Sequence, residues 1–168
     1  LEAACERIRS RIHRFSTPFQ HLLSSVDLPA PIAQIEGHCC IAESLLQGHQ
    51  CTLAGFVHHG HVHTYGIIDS INYPDSSSFF RFEYPSKLPT PVQQRMADIA
   101  RQIIAHIGLD TTPFNIEYFY DSEHDHIALL EINPRMSQSH SFLFEEVEGH
   151  SNHQVLVELA TGATPTVP

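Results

Sequence analysis

The chain has 168 residues, 42% of them hydrophobic, and a formal net charge of −10 with histidine counted neutral. That length fits one ordinary domain, and that apolar content excludes a disordered chain. The acidity disfavours a nucleic-acid partner, which needs clustered Lys and Arg, and suits a divalent cation or a cationic substrate.

The chain opens on leucine, so it is expected to be a piece of a longer protein. "CERIRSRIHRF" reads as a short amphipathic helix. Ile8, Ile12 and Phe15 recur at helical spacing, and Arg7, Arg11 and Arg14 form a solvated face. Residues 28–37, "LPAPIAQIEG", read as a loop plus a short strand. "CCIAESLLQG" reads as a buried strand ending in a turn, and "CTLAGFVHHGHVHTYGIIDSI" as a hairpin about Gly60. "NYPDSSS" is a loop, and "FFRFEYP" alternates as a further strand.

The clearest helix is "TPVQQRMADIARQIIAHIG". Thr90 is the expected N-cap, Pro91 the first helical residue, and Gln93 the partner in a capping box. Val92, Met96, Ile99, Ile103 and Ile107 make the expected apolar stripe, and Gly108 the stop. Two apolar strands follow, "FNIEYFY" and "HIALLEIN", joined by the polar "DSEHD". "SFLFEEVEG" and "NHQVLVELATG" read as two short helices. Strands in the middle, with helices between and after them, indicate an α+β fold with a largely antiparallel sheet packed with helices.

Cys5, Cys39, Cys40 and Cys51 form no CxxC, so a reducing, cytoplasmic compartment is expected. Cys39, Cys40 and Cys51 look like small buried apolar residues rather than nucleophiles. The sequence shows no signal peptide and no membrane-spanning run, so no membrane partner is expected.

The chemistry concentrates in residues 114–133. Side chains alternate faces along a strand. Asn115, Glu117 and Phe119 therefore share one face, and Leu129, Glu131 and Asn133 share one on the next strand. Pairing Asp121 with Ile127 sets Glu117 opposite Glu131 and Asn115 opposite Asn133. Opposed carboxylates repel. They persist if one is protonated, if a cationic side chain intervenes, or if a metal binds between them. Two carboxylates and an amide oxygen suit Mg²⁺ or Mn²⁺. Pro134 ends the ladder, and Arg135 can then fork onto carboxylate or phosphate oxygens. The plainer alternative is a wet sheet face on which Arg135 pairs with one of the glutamates.

"EINPR" (131–135), preceded by an apolar strand and by Glu117 in "NIEYFY", resembles the metal-binding core of the ATP-grasp superfamily, in its biotin carboxylase and carbamoyl phosphate synthetase form. "AESLLQGHQCTLAGFVHHGHV" is similar to that family's hinge and following hairpin, and "GLDTTPFNIEYF" to the segment before its first metal ligand. Order and spacing agree over residues 41–162. The resemblance implies an ATP-grasp-like fold, with residues 41–168 as the carboxy-terminal catalytic subdomain and residues 1–40 as an N-terminal helix and linker, a remnant of the smaller lobe. It implies ATP and Mg²⁺ (or Mn²⁺) as cofactors, with Glu117, Glu131 and Asn133 as metal ligands and Arg135 as the catalytic residue holding the phosphoryl group or acyl phosphate. Glu43 and the backbone of Ser44, Leu45 and Leu46 would border adenine. Gln50 stands where many members carry a ribose-binding glutamate.

The implied reaction activates a small-molecule carboxylate as an acyl phosphate for attack by an amine or related nucleophile. Positioning and charge neutralisation supply most of such catalysis. The family's phosphate-gripping lysines and Gly-rich loop lie upstream of the hinge. This chain has a single lysine, Lys87, after the hinge. The remaining lobe is therefore expected elsewhere in the full-length protein, the isolated chain is expected to be weakly active or inactive, and a homo-oligomer is allowed.

Two other functions compete. A non-catalytic Mg-nucleotide-binding or interaction module would keep the ligands without turnover. A two-carboxylate glycosidase is disfavoured by the absence of tryptophan for sugar stacking. In "HHGHVH" (58–63), His61 and His63 share a strand face, but a hairpin turn is an ordinary place for exposed histidines and no zinc site is expected. His106, His150 and His153 read as surface or satisfied core residues. So does His140, although it follows the EINPR loop.

Overall fold

The computed structural model describes residues 2–30 and 41–166, and these fall into two compact units, Leu1–Leu45 and Leu46–Pro168. The first holds α1 (Glu2–Arg11) and α2 (His13–Leu23), where the sequence suggests one short helix. Ile8 and Phe15, the expected apolar face, are both exposed. The strand expected within residues 31–37, and Cys39 and Cys40, lie outside the described residues. Residues 41–47, expected as a buried strand, carry no regular structure, and Ile41 and Leu45 are exposed. An apolar run becomes a strand only where a ladder receives its backbone, and among the described residues none does so here.

The second unit is built on β1 (His49–His58), β2 (His61–Asn72), β3 (Phe79–Glu83), β4 (Thr112–Asp121) and β5 (His126–Asn133). They form one antiparallel sheet in the order β3-β2-β1-β4-β5. The β1–β2 hairpin turns on His59 and Gly60, both at positive φ, as a two-residue turn between twisted strands requires. Helix α3 (Thr90–Ile107) crosses one face. A 3-10 turn (Gln138–His140), α4 (Ser141–Glu148) and α5 (Asn152–Ala160) follow β5.

Alternation along the strands divides the sheet into two faces. Cys51, Leu53, Val57, Ile67, Phe114, Ile116 and Tyr118 pack beneath α3. Ala54, Ile68 and Phe56 turn the other way and meet Phe144 of α4 and Val155 and Leu159 of α5. Burying each large apolar side chain stabilises by roughly 1.5–3 kcal/mol, so both layers hold the sheet.

Helix α3 corrects two expectations. Its N-cap is Pro89, whose carbonyl accepts from Val92 and Gln93 N–H at 2.9 and 3.1 Å. Gln93 makes no capping box with Thr90. Its amide instead donates to Leu88 O at 2.7 Å. The buried stripe is Val92, Met96, Ala100 and Ile104, while Ile107 is exposed. The helix packs along an i±4 row, so after Met96 the stripe continues to Ala100 and Ile104 rather than taking the three-residue step to Ile99 read in the sequence. Gly108 stops it at φ 72, as expected.

The β4–β5 register is the other correction. Asp121 pairs with His126, and Tyr118 with Leu129, one step from the register read in the sequence. A bulge between Glu117 and Tyr118 then admits Leu130 as an extra residue, and Glu117 pairs with Glu131 and Asn115 with Asn133 as expected. Leu129, expected beside Glu131, packs into the α3 core instead. A one-residue offset at the turn and one extra residue in the ladder cancel at the glutamates.

Candidate functional site

The sheet face opposite α3 is apolar near α4 and α5 but carries Thr52, Ser70, Asn115 and Glu117 elsewhere. These line a cavity of about 620 Å³, with Phe79 and Phe82 of β3 and Arg135, Ser137, Gln138, Ser139 and His140 of the segment after β5. Strand alternation puts the polar side chains there, because their neighbours Ile116 and Leu53 are taken by the core.

Glu117 is half-buried, and Gln50 Nε2 donates to its Oε2 at 3.2 Å. Burial, and then the charge of Glu131 opposite, hold its carboxyl above the ordinary range, against Gln50 and Arg135, which favour the charged form. Asn133 Nδ2 donates to Glu131 Oε1 at 2.7 Å and to Asn115 Oδ1 at 3.2 Å. Arg135 forms no ion pair among the described residues. Its guanidinium reaches Asn133 Oδ1 at 3.4 Å. The arrangement in which Arg135 neutralises a glutamate is therefore not the one adopted, and a fixed positive charge remains for a ligand.

Structure thus brings together Glu117, Glu131, Asn133, Arg135 and Gln50. Glu43, Ser44 and Leu45 are exposed, without helix or strand, in the first unit, and Leu46 begins the second. Lys87 donates to Glu83 Oε2 at 2.6 Å and is spent in an exposed ion pair. Cys51 is enclosed, and burial pushes its thiol up to about 12, which suits packing rather than nucleophilic attack. At the hairpin tip the His58 and His59 rings lie 4.1 Å apart, and His63 stacks on Phe56 at 4.7 Å. Among the described residues no group of three or more His, Cys, Asp or Glu is placed to hold a metal.

Sequence reasoning missed what holds the segment after β5. Asn115, buried on β4, donates from Nδ2 to Arg135 O at 2.9 Å. Asn152, 1% exposed at the start of α5, donates from Nδ2 to Ser137 O at 2.9 Å and accepts from Ser141 Oγ at 2.5 Å. Ser151 caps α5 by accepting from Gln154 N–H at 3.3 Å, which leaves Asn152 free to reach back. In the sequence Asn152 looks like any residue of a helix start. His140 is 3% exposed, meets Phe82 edge-on at 4.8 Å, and has an enclosed Nδ1 without a partner among the described residues. Burial lowers its pKa to about 4, so the ring is neutral at pH 7.

Glu117, Glu131 and Asn133 present hard oxygen donors on one face, and burial and the opposed Glu131 raise the Glu117 carboxyl in spite of Gln50 and Arg135. This donor set fits a divalent cation such as Mg²⁺.

Residues 83–166, half of the chain, match the family described as "Carbamoyl-phosphate synthase L chain, ATP binding domain". The carbamoyl phosphate synthase large chain of Thermotoga sp. (strain RQ2) is 37% identical over 81 residues, 48% of this chain. The chain spans about 7% of the length of that relative. Among solved structures, a biotin carboxylase from Campylobacter jejuni in an ATP-analogue complex is similar at a TM-score of 0.63 and 21% identity, covering 74% of this chain and 28% of that one. An L-amino acid ligase from Bacillus licheniformis is similar at 0.60 and 16%, covering 73% and 30%. At these identities the structural likeness speaks for the fold alone, the antiparallel α+β sheet described above. No helix among the described residues is long and apolar enough to cross a membrane.

Proposed function

The chain belongs to the family of the carbamoyl-phosphate synthase L chain ATP binding domain, and from that premise we propose that it is the carboxy-terminal part of an ATP-grasp ligase, active with ATP and Mg²⁺. The reaction is activation of a carboxylate as an acyl phosphate for attack by an amine or related nucleophile. The observation that carries this reading is the opposed pair Glu117 and Glu131, with Asn133 beside it and, beyond, an Arg135 that forms no ion pair among the described residues.

Glu117, Glu131 and Asn133 would hold the metal through their oxygens. Bound there, Mg²⁺ supplies charge neutralisation for the phosphate oxygens of ATP. Arg135 offers a planar fork to the phosphoryl or carboxylate oxygens of the substrate. Its backbone is held by Asn115, and its guanidinium donates to Met136 O at 3.3 Å and to Asn133 Oδ1 at 3.4 Å. Gln50, on the first sheet strand beside the pair, orients Glu117 and remains able to bond a ribose hydroxyl. Glu43, Ser44, Leu45 and Leu46 are the proposed adenine border. The phosphate-gripping lysines belong to the remaining lobe, since Lys87 is engaged with Glu83.

The test is ADP release by the full-length protein, screened against carboxylic acids and amines. Release that needs an acid and is lost in Glu131→Gln supports the reading. Acid-dependent release unaffected by that substitution overturns the metal assignment. Robust turnover by the isolated chain overturns the need for a second lobe. Mg-ATP binding without turnover under any acid would favour the non-catalytic module.

A further inference from the structure

We propose that the cavity beside the carboxylate pair takes an acid with an aromatic or bulky apolar body, its carboxylate toward Arg135 and His140 and its body against Phe79 and Phe82. This names the substrate class of the ligase proposed above, and rests on that reading for its chemistry but not for its binding.

Size is the first argument. The cavity, about 620 Å³, lies within the range of sites for small organic ligands. It would hold on the order of twenty waters, far more than a one- or two-carbon acid displaces. The second argument is the wall. The Phe79 and Phe82 rings lie 5.3 Å apart and both line the cavity. Phe79 is 44% exposed, so its apolar surface is available to a ligand. The third is charge. Among the described lining residues Arg135 is the one fixed cation, and it forms no ion pair. The fourth is His140. Its ring is enclosed, and among the described residues nothing hydrogen-bonds it. Either ring nitrogen of a neutral imidazole can carry its one proton. A neutral N–H suits an acid oxygen. A buried imidazolium would carry a desolvation cost that no nearby carboxylate offsets. The hydroxyls of Thr52, Ser70, Ser137 and Ser139 complete a polar floor without adding charge.

The experiment measures binding of 3-phenylpropionate and of acetate to the full-length protein without ATP, by isothermal titration. The expected Kd for 3-phenylpropionate is at least about tenfold lower than for acetate, from burial of the phenyl ring. Phe79→Ala, at the exposed rim and safe for folding, should shrink that ratio and leave acetate unchanged. His140→Leu, checked for folding by its melting curve, should weaken both acids. Equal Kd values for the two acids in the parent protein overturn the proposal, and so does a Phe79→Ala variant that weakens both alike. Discrimination without any ADP release on adding Mg-ATP supports this site and defeats the ligase reading. ADP release with equal KM for the two acids supports the ligase and defeats this site.

Discussion

Glu117 and Glu131 face each other directly across β4 and β5, and the only residue between Glu131 and the regular part of its strand is the extra Leu130. Like charges so placed are unfavourable, and the protein keeps them. Glu131→Gln should therefore separate function from stability. In metal-free buffer it should raise Tm by about 2 °C, because a repulsion is removed. In the ADP assay it should lower turnover by roughly 100-fold, because the hold on the cation that neutralises the phosphate oxygens is weakened. Thermal melts and ADP release on one preparation check both. A loss of both activity and stability would mean that the glutamate is structural.

Arg135→Lys should behave nearly as badly as Arg135→Ala. A lysine keeps the charge but not the planar fork or the reach to Asn133 Oδ1. We expect kcat to fall by roughly tenfold or more in both, with KM for ATP little changed. Steady-state kinetics with saturating acid and varied ATP measure the split. A lysine variant with full kcat would show that point charge alone suffices.

His140 makes stability depend on pH. Its folded pKa, about 4, lies below the ordinary 6.5, so between these values the unfolded chain binds the proton and the folded one does not. The stability is complete above about 6.5 and is lost as pH falls through about 4, a change on the order of 3 kcal/mol. His140→Leu should remove that part of the dependence. Urea midpoints at pH 7 and 4.5 for both proteins test it, since the exposed carboxylates contribute alike to each.

Asn152→Ala should cost about 2 kcal/mol, because it strands Ser141 Oγ in a buried place and Ser137 O in a half-buried one. Activity should fall more than stability explains, because the segment carrying Ser139 and His140 loses its hold. The urea midpoint against kcat at full saturation tells the two apart.

Much of this was legible in the sequence, because alternation and an apolar stripe are local signals. Both hairpins, the helix at Thr90 and the glycine that ends it follow from spacing, whereas the expected opposition of Glu117 and Glu131 is met only because the bulge cancels an offset at the turn. The bulge at Leu130 does not follow from spacing, since nothing in "IALLEIN" marks which leucine is extra, and so strict alternation puts Leu129 on the wrong face. The stripe of α3 slid to Ala100 and Ile104 because the sheet beneath selects an i±4 row. The run at 41–47 misled for a different reason, as apolar residues declare burial only where a neighbour exists. Asn152 was silent because a side chain that reaches back fifteen residues leaves no periodic trace.

Asn115 and Asn152 grip main-chain oxygens, Arg135 O and Ser137 O, and not the side chains of the segment they hold. These two bonds hold the backbone there whatever side chains Gln138 and Ser139 carry. Gln138 and Ser139, which follow the second clamp and line the cavity, form an interchangeable cartridge on a fixed mount, in which side chains can be exchanged to retune what the cavity accepts while the carboxylate pair and Arg135 stay where they are.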